Sequence, residues 1–449
     1  MKLTLRRTAR RPRATRAILS AGVPLSALLW AVVAALLAGL APASARAQQP
    51  EAFAEPAALE WRLVFKLVNL TAHAEAGEAG FVREGDDTAE SNQQSLRLQL
   101  TGQPLFWLDY SFDYLNTKQH LGTAAPAQAS GADRFRYKPW RWDIEKPEAA
   151  PGQPPSRQTV RWFHEVDDAF VRIAAGPVEA VLGRQPITWG AGRIWQPTDV
   201  FAAFSPTALD TEYKPGIDGL LLSAYPFDFA TLQFAYILSP AEEPDAEDSV
   251  ALRWRGQVGV ESELTALAAR VRGEPLAGGS IETVWLEAGW RLEAVAFRPR
   301  DGETTETFAI AGVDHQFGDG TLLLAELYHH SLGAVAESGL PAVLLSRSYR
   351  DGRLLQLSRS VLAVSASRDF LGLWKGSYTV FGAALRDDAD ARHASILHQL
   401  TFSYSISDNA EAVFSLLGGS GRGLDAGGIP HSEFGQVPNS LYVSLQFVL

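Results

Sequence analysis

The chain has 449 residues, of which 46% are hydrophobic, 10% aromatic and only 20% charged, enough apolar side chain for a large core and too much for a disordered polypeptide. Cysteine is absent and the one methionine is the initiator, which excludes disulfide frameworks, thiolate metal centres and haem attached through Cys. Of the 40 basic groups eight lie in residues 1–47, which hold no acid; the other 32 face 51 acids, a balance of −19 that argues against a nucleic-acid partner.

Residues 2–16 are basic, 17–40 form an apolar stretch, and Ala45-Arg46-Ala47 supplies the small-x-small pattern read by a signal peptidase. This predicts a signal peptide over 1–47, a mature start at Gln48 and a short periplasmic segment over 48–58. Beyond Gln48 no run approaches the ~18 apolar residues of a spanning helix. An exported chain of this kind is periplasmic, secreted or an outer-membrane barrel.

From residue 59 onward the hydrophobic period is two. Trp61, Leu63, Phe65 and Leu67 alternate with Arg62 and Lys66; Leu96, Leu98 and Leu100 alternate with Arg97 and Gln99; Tyr110, Phe112 and Tyr114 alternate with Asp109 and Asp113. Leu252 and Trp254 oppose Arg253 and Arg255, and Leu400, Phe402 and Tyr404 oppose Gln399, Thr401 and Ser403. Alternation alone suits a soluble sandwich as well as a barrel in lipid. Connection lengths separate the two. Short turns near 102–104, 175–177, 226–227, 259–260, 288–290, 318–320, 369–372 and 407–410 alternate with longer connections near 75–94, 117–158, 185–216, 239–248, 273–279, 299–304, 331–352, 387–392 and 419–439. Turns at one end and loops at the other are the pattern of a transmembrane antiparallel β-barrel. Seventeen connections predict about 18 strands over residues 59–449, with both termini periplasmic; 16 strands result if the hairpin 280–298, where alternation is blurred, is lost.

The last segment, Leu441, Val443, Leu445, Phe447 and Leu449, alternates to the end of the sequence. It resembles the assembly signal of outer-membrane proteins, which implies recognition of Leu445, Phe447 and Leu449 by the barrel-assembly machinery. The commonest form of that signal ends in an aromatic residue, and here the terminal residue is Leu449.

A barrel of this size is too wide for side chains alone to fill. The polar parity assigns Arg62, Lys66, Arg97, Asp109, Asp113, Asp168, Arg172, Glu179, Arg253 and Arg255 to the inner wall, a mixed and slightly basic surface. Acids cluster instead in the loops, at Glu75–Glu90 and Glu242–Asp248, where ordinary solvation or contact with lipopolysaccharide through divalent cations accounts for them. The third long connection is different: it is too apolar for an exposed loop. Trp189, Trp195, Phe201 and Phe204 stand beside Arg184, Arg193, Asp199, Asp210, Glu212, Lys214 and Asp218, a mixture that needs both burial and charge partners. The barrel interior offers both, so 185–216 is expected to fold inward, as a pore constriction or as a brace on the wall. Gly190-Ala191-Gly192 has no P-loop context and is not read as a phosphate site. No GxSxG or HExxH occurs, and His329 and His330 point to opposite faces of a strand, so neither a hydrolase nor a metal site is expected.

The third connection resembles that of porin-type outer-membrane channels. Its GRQ, WG, GR, PTD, F and KPGxD pattern is also similar to a proteobacterial family of outer-membrane barrels with no assigned solute. The resemblance implies a Gram-negative outer-membrane channel for small hydrophilic or mildly amphipathic solutes, in contact with outer-membrane lipid and lipopolysaccharide, without a cofactor, and alone or as a homo-oligomer. The alternatives are a barrel that serves as scaffold or conduit for a partner protein, and a lipid-modifying enzyme.

Overall fold

The computed structural model describes residues 59–73, 88–121, 135, 141–145, 159–240, 247–300, 304–425 and 428–449. The expected export signal over 1–47 and the segment 48–58 lie outside the described residues. Among the described residues the chain forms nineteen strands: β1 (Glu60–His73), β2 (Thr88–Leu105), β3 (Leu108–Leu121), β4 (Arg141–Glu145), β5 (Thr159–Ala175), β6 (Val178–Gln185), β7 (Ile217–Phe227), β8 (Ala230–Ile237), β9 (Ser249–Val258), β10 (Ser262–Val271), β11 (Glu274–Trp285), β12 (Ala288–Phe297), β13 (Glu306–Gln316), β14 (Leu322–His330), β15 (Ser360–Phe370), β16 (Trp374–Arg386), β17 (Arg392–Ser407), β18 (Ala410–Ser420) and β19 (Asn439–Val448).

Every strand except β4 pairs antiparallel with its neighbours in sequence, β3 pairing directly with β5, and β19 returns to β1 with Phe65 opposite Phe447. Eighteen strands therefore close the barrel, leaving no exposed edge in the bilayer-spanning region, as a backbone without water requires. Both described ends of the chain lie at the short-turn end: Glu60 pairs with Thr101 beside the β2–β3 turn, and Leu449 donates its N–H to the Leu63 carbonyl.

The alternation follows from two solvents. One parity presents exposed Leu96, Leu292, Leu327, Leu362, Leu416 and Leu441, a continuous apolar exterior that suits lipid. Phe106, Phe227, Phe229, Trp285 and Trp290 add exposed aromatics at the turn end, the amphipathic level of a bilayer. The other parity turns inward, with the hydroxyl pairs Ser365–Thr379 and Thr401–Ser415 at 2.8 and 2.7 Å across adjacent strands.

The blurred hairpin is present as β11 and β12. Its pattern weakens because Val295 and Phe297 face inward yet are buried apolar residues, covered by other parts of the chain, while Arg291 and Glu293 on the same face are polar. The expected long connection over 273–279 is not a loop. It shrinks to a two-residue turn at Arg272 and Gly273, both at positive φ as tight hairpins require, and Leu276 to Gly279 continue β11. Side chains at Gly278 and Gly279 would overlap the Ala294 and Thr265 carbonyls on the flanking strands, so those glycines serve close strand approach rather than a loop.

The loop end is capped. Residues 331–359 include two short helices, α1 (Leu340–Leu345) and α2 (Arg347–Arg350), the second capped by Ser346 Oγ accepting the Tyr349 N–H. Leu340, Val343, Leu354 and Leu357 bury against Leu385 of β16. The connection after β18 docks onto this cap, where Glu433 accepts the N–H groups of Leu357 and Ser358.

Candidate functional site

The third long connection leaves the wall after Gln185 and rejoins it at Ile217. Its neck is tied by Arg184 and Asp218, opposite one another on β6 and β7: two guanidinium N–H groups reach the carboxylate at 2.9 and 2.7 Å, and a third donates to the Val166 carbonyl at 2.8 Å. Both side chains are buried. Where β6 departs, β4 takes up the ladder on β5: Arg184 lies opposite Ala169, and Trp142 opposite His164 farther along the same strand. Arg184 and Asp218, expected at the constriction, are thus a buried clasp at the base of the segment, because a bidentate pair between adjacent strands consumes both charges.

From the neck the segment crosses to the opposite wall and is held there by two inward carboxylates. Glu293 of β12 accepts the N–H groups of Ala191 and Gly192 at 2.7 and 2.8 Å, and both the N–H and hydroxyl of Thr198. Glu326 of β14 accepts the N–H groups of Arg193, Ile194 and Trp195 at 3.0, 3.2 and 2.7 Å. The glycine-rich turn is an anion-binding concavity of backbone amides, and the anions it binds are the protein's own. Gly192 cannot carry a side chain, since a methyl there would overlap the Trp195 carbonyl oxygen and Ile310 Cδ1.

Two tryptophans anchor the crossing. Trp195 is fully buried against Tyr328 and Phe381, with ring centroids 5.3 and 5.9 Å away, on the apolar inner wall of β12 to β17. Trp189 packs on Phe201, 5.3 Å away, over Ile217, Ala235, Ala251 and Leu267 of β7 to β10. Arg193, between them, is exposed, and its side chain has no ion pair among the described residues.

The return path carries the remaining expected charges. Asp199 and Lys214 form a buried ion pair, Lys214 also reaching Thr188 Oγ1 at 3.1 Å. Burial pushes the Asp199 carboxyl up and the Lys214 ammonium down, each opposed by the other's charge. Asp210 and Glu212 meet Lys66 of β1 at 2.7 and 3.4 Å, and Glu212 accepts from Gln446 of β19 at 2.7 Å. Tyr213 lies under the Arg97 guanidinium, 4.1 Å from the ring centroid, and burial with the neighbouring Glu212 pushes its phenol up to about 12, so it remains a neutral donor.

All ten expected wall residues fall on the inward parity of the strand register, and most are paired. Arg97 holds Asp113 at 2.6 Å and Asp167 at 2.8 Å; Arg172 holds Asp109 at 2.7 Å with Glu179 at 3.9 Å. Arg253 donates to Gln233 at 3.0 Å, Arg255 pairs with Glu263, Asp168 lies opposite Asp113, and Arg62 is exposed two positions before Val64. Sequence reasoning missed Asp167, Glu293, Glu326 and Arg291, the last paired with Asp314. Arg291 and Glu293 alternate with outward Trp290 and Leu292, and Glu326 with Ala325 and Leu327, a signal present in the sequence.

Between the crossing segment and the capped end lies a cavity of about 440 Å³, bordered by Lys66 and Arg97, by Phe201 to Ser205 of the segment, and by Phe297 and Phe308. The lumen is therefore narrowed by chain.

No family model matches the chain, and no curated protein matches it in sequence. Solved structures share its fold. OccAB4 of Acinetobacter baumannii superposes with a TM-score of 0.56 at 7% identity, over 88% of this chain and 99% of that one. The outer membrane protein opdK of Pseudomonas aeruginosa gives 0.51 at 8% identity over 87% and 99% of the two chains, and a BenF-like porin from Pseudomonas fluorescens 0.53 at 8% over 87% and 98%. The architecture is that of a porin-type barrel.

Proposed function

We propose that the chain is a passive channel of the Gram-negative outer membrane for small hydrophilic or mildly amphipathic solutes. The observation that carries this reading is the crossing segment: the barrel presents an apolar exterior to lipid, and its polar lumen is narrowed by 186–216 rather than filled by wall side chains. The cavity of about 440 Å³ has room for a small solute, which favours a solute channel over a conduit for a threaded partner protein. The similar barrels bear the words porin and outer membrane protein in their descriptions, which supports the same placement.

In this reading the exposed Arg193, with Asp210, Glu212 and Lys66, faces passing solutes, and Trp189 and Trp195 brace the segment; the long connections are extracellular, and both termini and the short turns are periplasmic. Residues 1–47 serve export, and outward Leu445 and Phe447, with Leu449, are read by the assembly machinery. Purified barrel in a planar bilayer tests the reading. Stepwise ion conductance is expected, with no lipid hydrolysis by the same sample; hydrolysis without conductance would favour the enzyme.

A further inference from the structure

The cavity above the crossing segment has a charge pattern that bears on what it accepts. Its cations are already matched within the protein. Arg97 is held by two carboxylates, Asp113 and Asp167, and Lys66 faces two more, Asp210 and Glu212. On the far side Arg353 pairs with Glu274, which also accepts the Arg300 N–H at 3.1 Å. Arg272, the remaining cation of the lining, is not free either. A solute carboxylate would have to displace one of these partners, and around Arg97 and Lys66 it would enter a site where acids outnumber bases two to one. Removing one partner from the buried Arg97 cluster is strongly unfavourable, and at Lys66 the two exposed acids repel a second carboxylate, so this wall does not welcome a free anion. Between the charged ends the lining is apolar: Phe201, Phe204, Val295, Phe297 and Phe308 border the space, with Leu276 beside them. Phe204 is only partly buried and borders the cavity. An aromatic or aliphatic solute body would exchange water for these rings, while Tyr213 and the paired side chains at the ends offer hydrogen bonds to neutral polar groups.

We infer that the preferred solutes of this channel are uncharged amphipathic molecules, an aromatic or aliphatic body joined to neutral hydroxyl-bearing groups, rather than carboxylates. The inference rests on the channel reading and specifies its solute class.

Swelling of proteoliposomes containing the full barrel, corrected for protein-free liposomes, tests it with three matched probes: phenyl β-glucoside, phenyl β-glucuronide and methyl β-glucoside. Ion conductance of the same preparation is recorded in a planar bilayer. Phenyl glucoside is expected to enter several-fold faster than the glucuronide, from which it differs by one carboxylate, and faster than the smaller methyl glucoside. Phe204→Ala should erase the advantage of the phenyl group in a barrel that keeps its heat-modifiable folding; the wild-type comparison decides even if that variant fails to fold. A conducting barrel that admits the glucuronide as fast as the glucoside, or the methyl glucoside faster than the phenyl one, overturns the solute assignment alone. A folded barrel that neither conducts nor swells with any probe overturns the channel reading, and this inference with it.

Discussion

Trp195 donates its backbone N–H to the Glu326 carboxylate at 2.7 Å, joining two residues 131 positions apart across the barrel lumen. Arg193 and Ile194 donate to the same carboxylate. Replacing Glu326 with Ala should leave these amides without acceptors, at about 1–3 kcal/mol for each one kept from water. The melting temperature of the heat-modifiable band should fall, and single-channel current should become larger and noisier. Glu326→Gln, which keeps one acceptor oxygen, should lie between. Unchanged melting and current in Glu326→Ala would mean the segment is held by other contacts.

Gly192→Ala tests the same anchor from the other side. The methyl would overlap the Trp195 carbonyl, so the turn must open and the segment loosen as in Glu326→Ala. Gly318→Ala is the control, because a methyl there meets nothing within 4 Å. Equal melting temperatures for the two variants would contradict the tight turn.

Arg184 and Arg193 should respond differently to loss of charge. Arg184→Gln breaks the bidentate pair and removes the buried guanidinium that faces Asp218, which costs about 3–5 kcal/mol and should reduce folded yield. Arg193→Gln removes an exposed charge and should leave melting unchanged. A stable Arg184→Gln barrel would argue against the neck clasp.

The Asp199–Lys214 pair predicts a pH effect. Burial holds the Asp199 carboxyl above its ordinary range, so on acidification it takes up a proton before an exposed carboxylate does. Neutral Asp199 leaves Lys214 positive without its partner, so the pathway gains one positive charge. Permeability to anions relative to cations should rise as pH falls toward the upper carboxylate range, and Asp199→Asn should show the shifted ratio already at neutral pH. An acid response that persists unchanged in Asp199→Asn would assign it to other acids.

Orientation is open to labelling, because the chain has no native cysteine. Cysteine at Ala389, exposed in a loop, should react with an impermeant thiol reagent on intact cells, and cysteine at Gly318, exposed in a turn, should not. The reverse pattern would invert the barrel.

The strand walls were legible because one solvent, lipid, imposes a uniform outer parity: Leu96, Leu292 and Leu441 are apolar for the same reason. The 273–279 connection was misread because Gly278 and Gly279 carry turn chemistry in sequence but serve close strand approach in the fold. The inward course of 185–216 was legible from Trp189 and Trp195, whose area demands burial. Its anchoring was not. Backbone amides have no sequence signature, and Glu293 and Glu326 lie about 100 and 130 positions from their partners. Charge alone also gave no way to separate Arg184, consumed by Asp218, from Arg193, which is exposed; only pairing in space distinguishes a clasp from a pathway residue.

The most direct test of the crossing segment as the lining of a solute pathway is the reversal potential of wild-type and Arg193→Glu barrels under a salt gradient. Arg193 is exposed on that segment and has no ion partner to orphan among the described residues, so the variant should fold and insert normally. Two units of charge change in a narrow, poorly screened lumen should move the reversal potential toward that of a cation-preferring pore. Conductance with an unmoved reversal potential in a normally folded variant would place the segment outside the ion path and contradict the pathway.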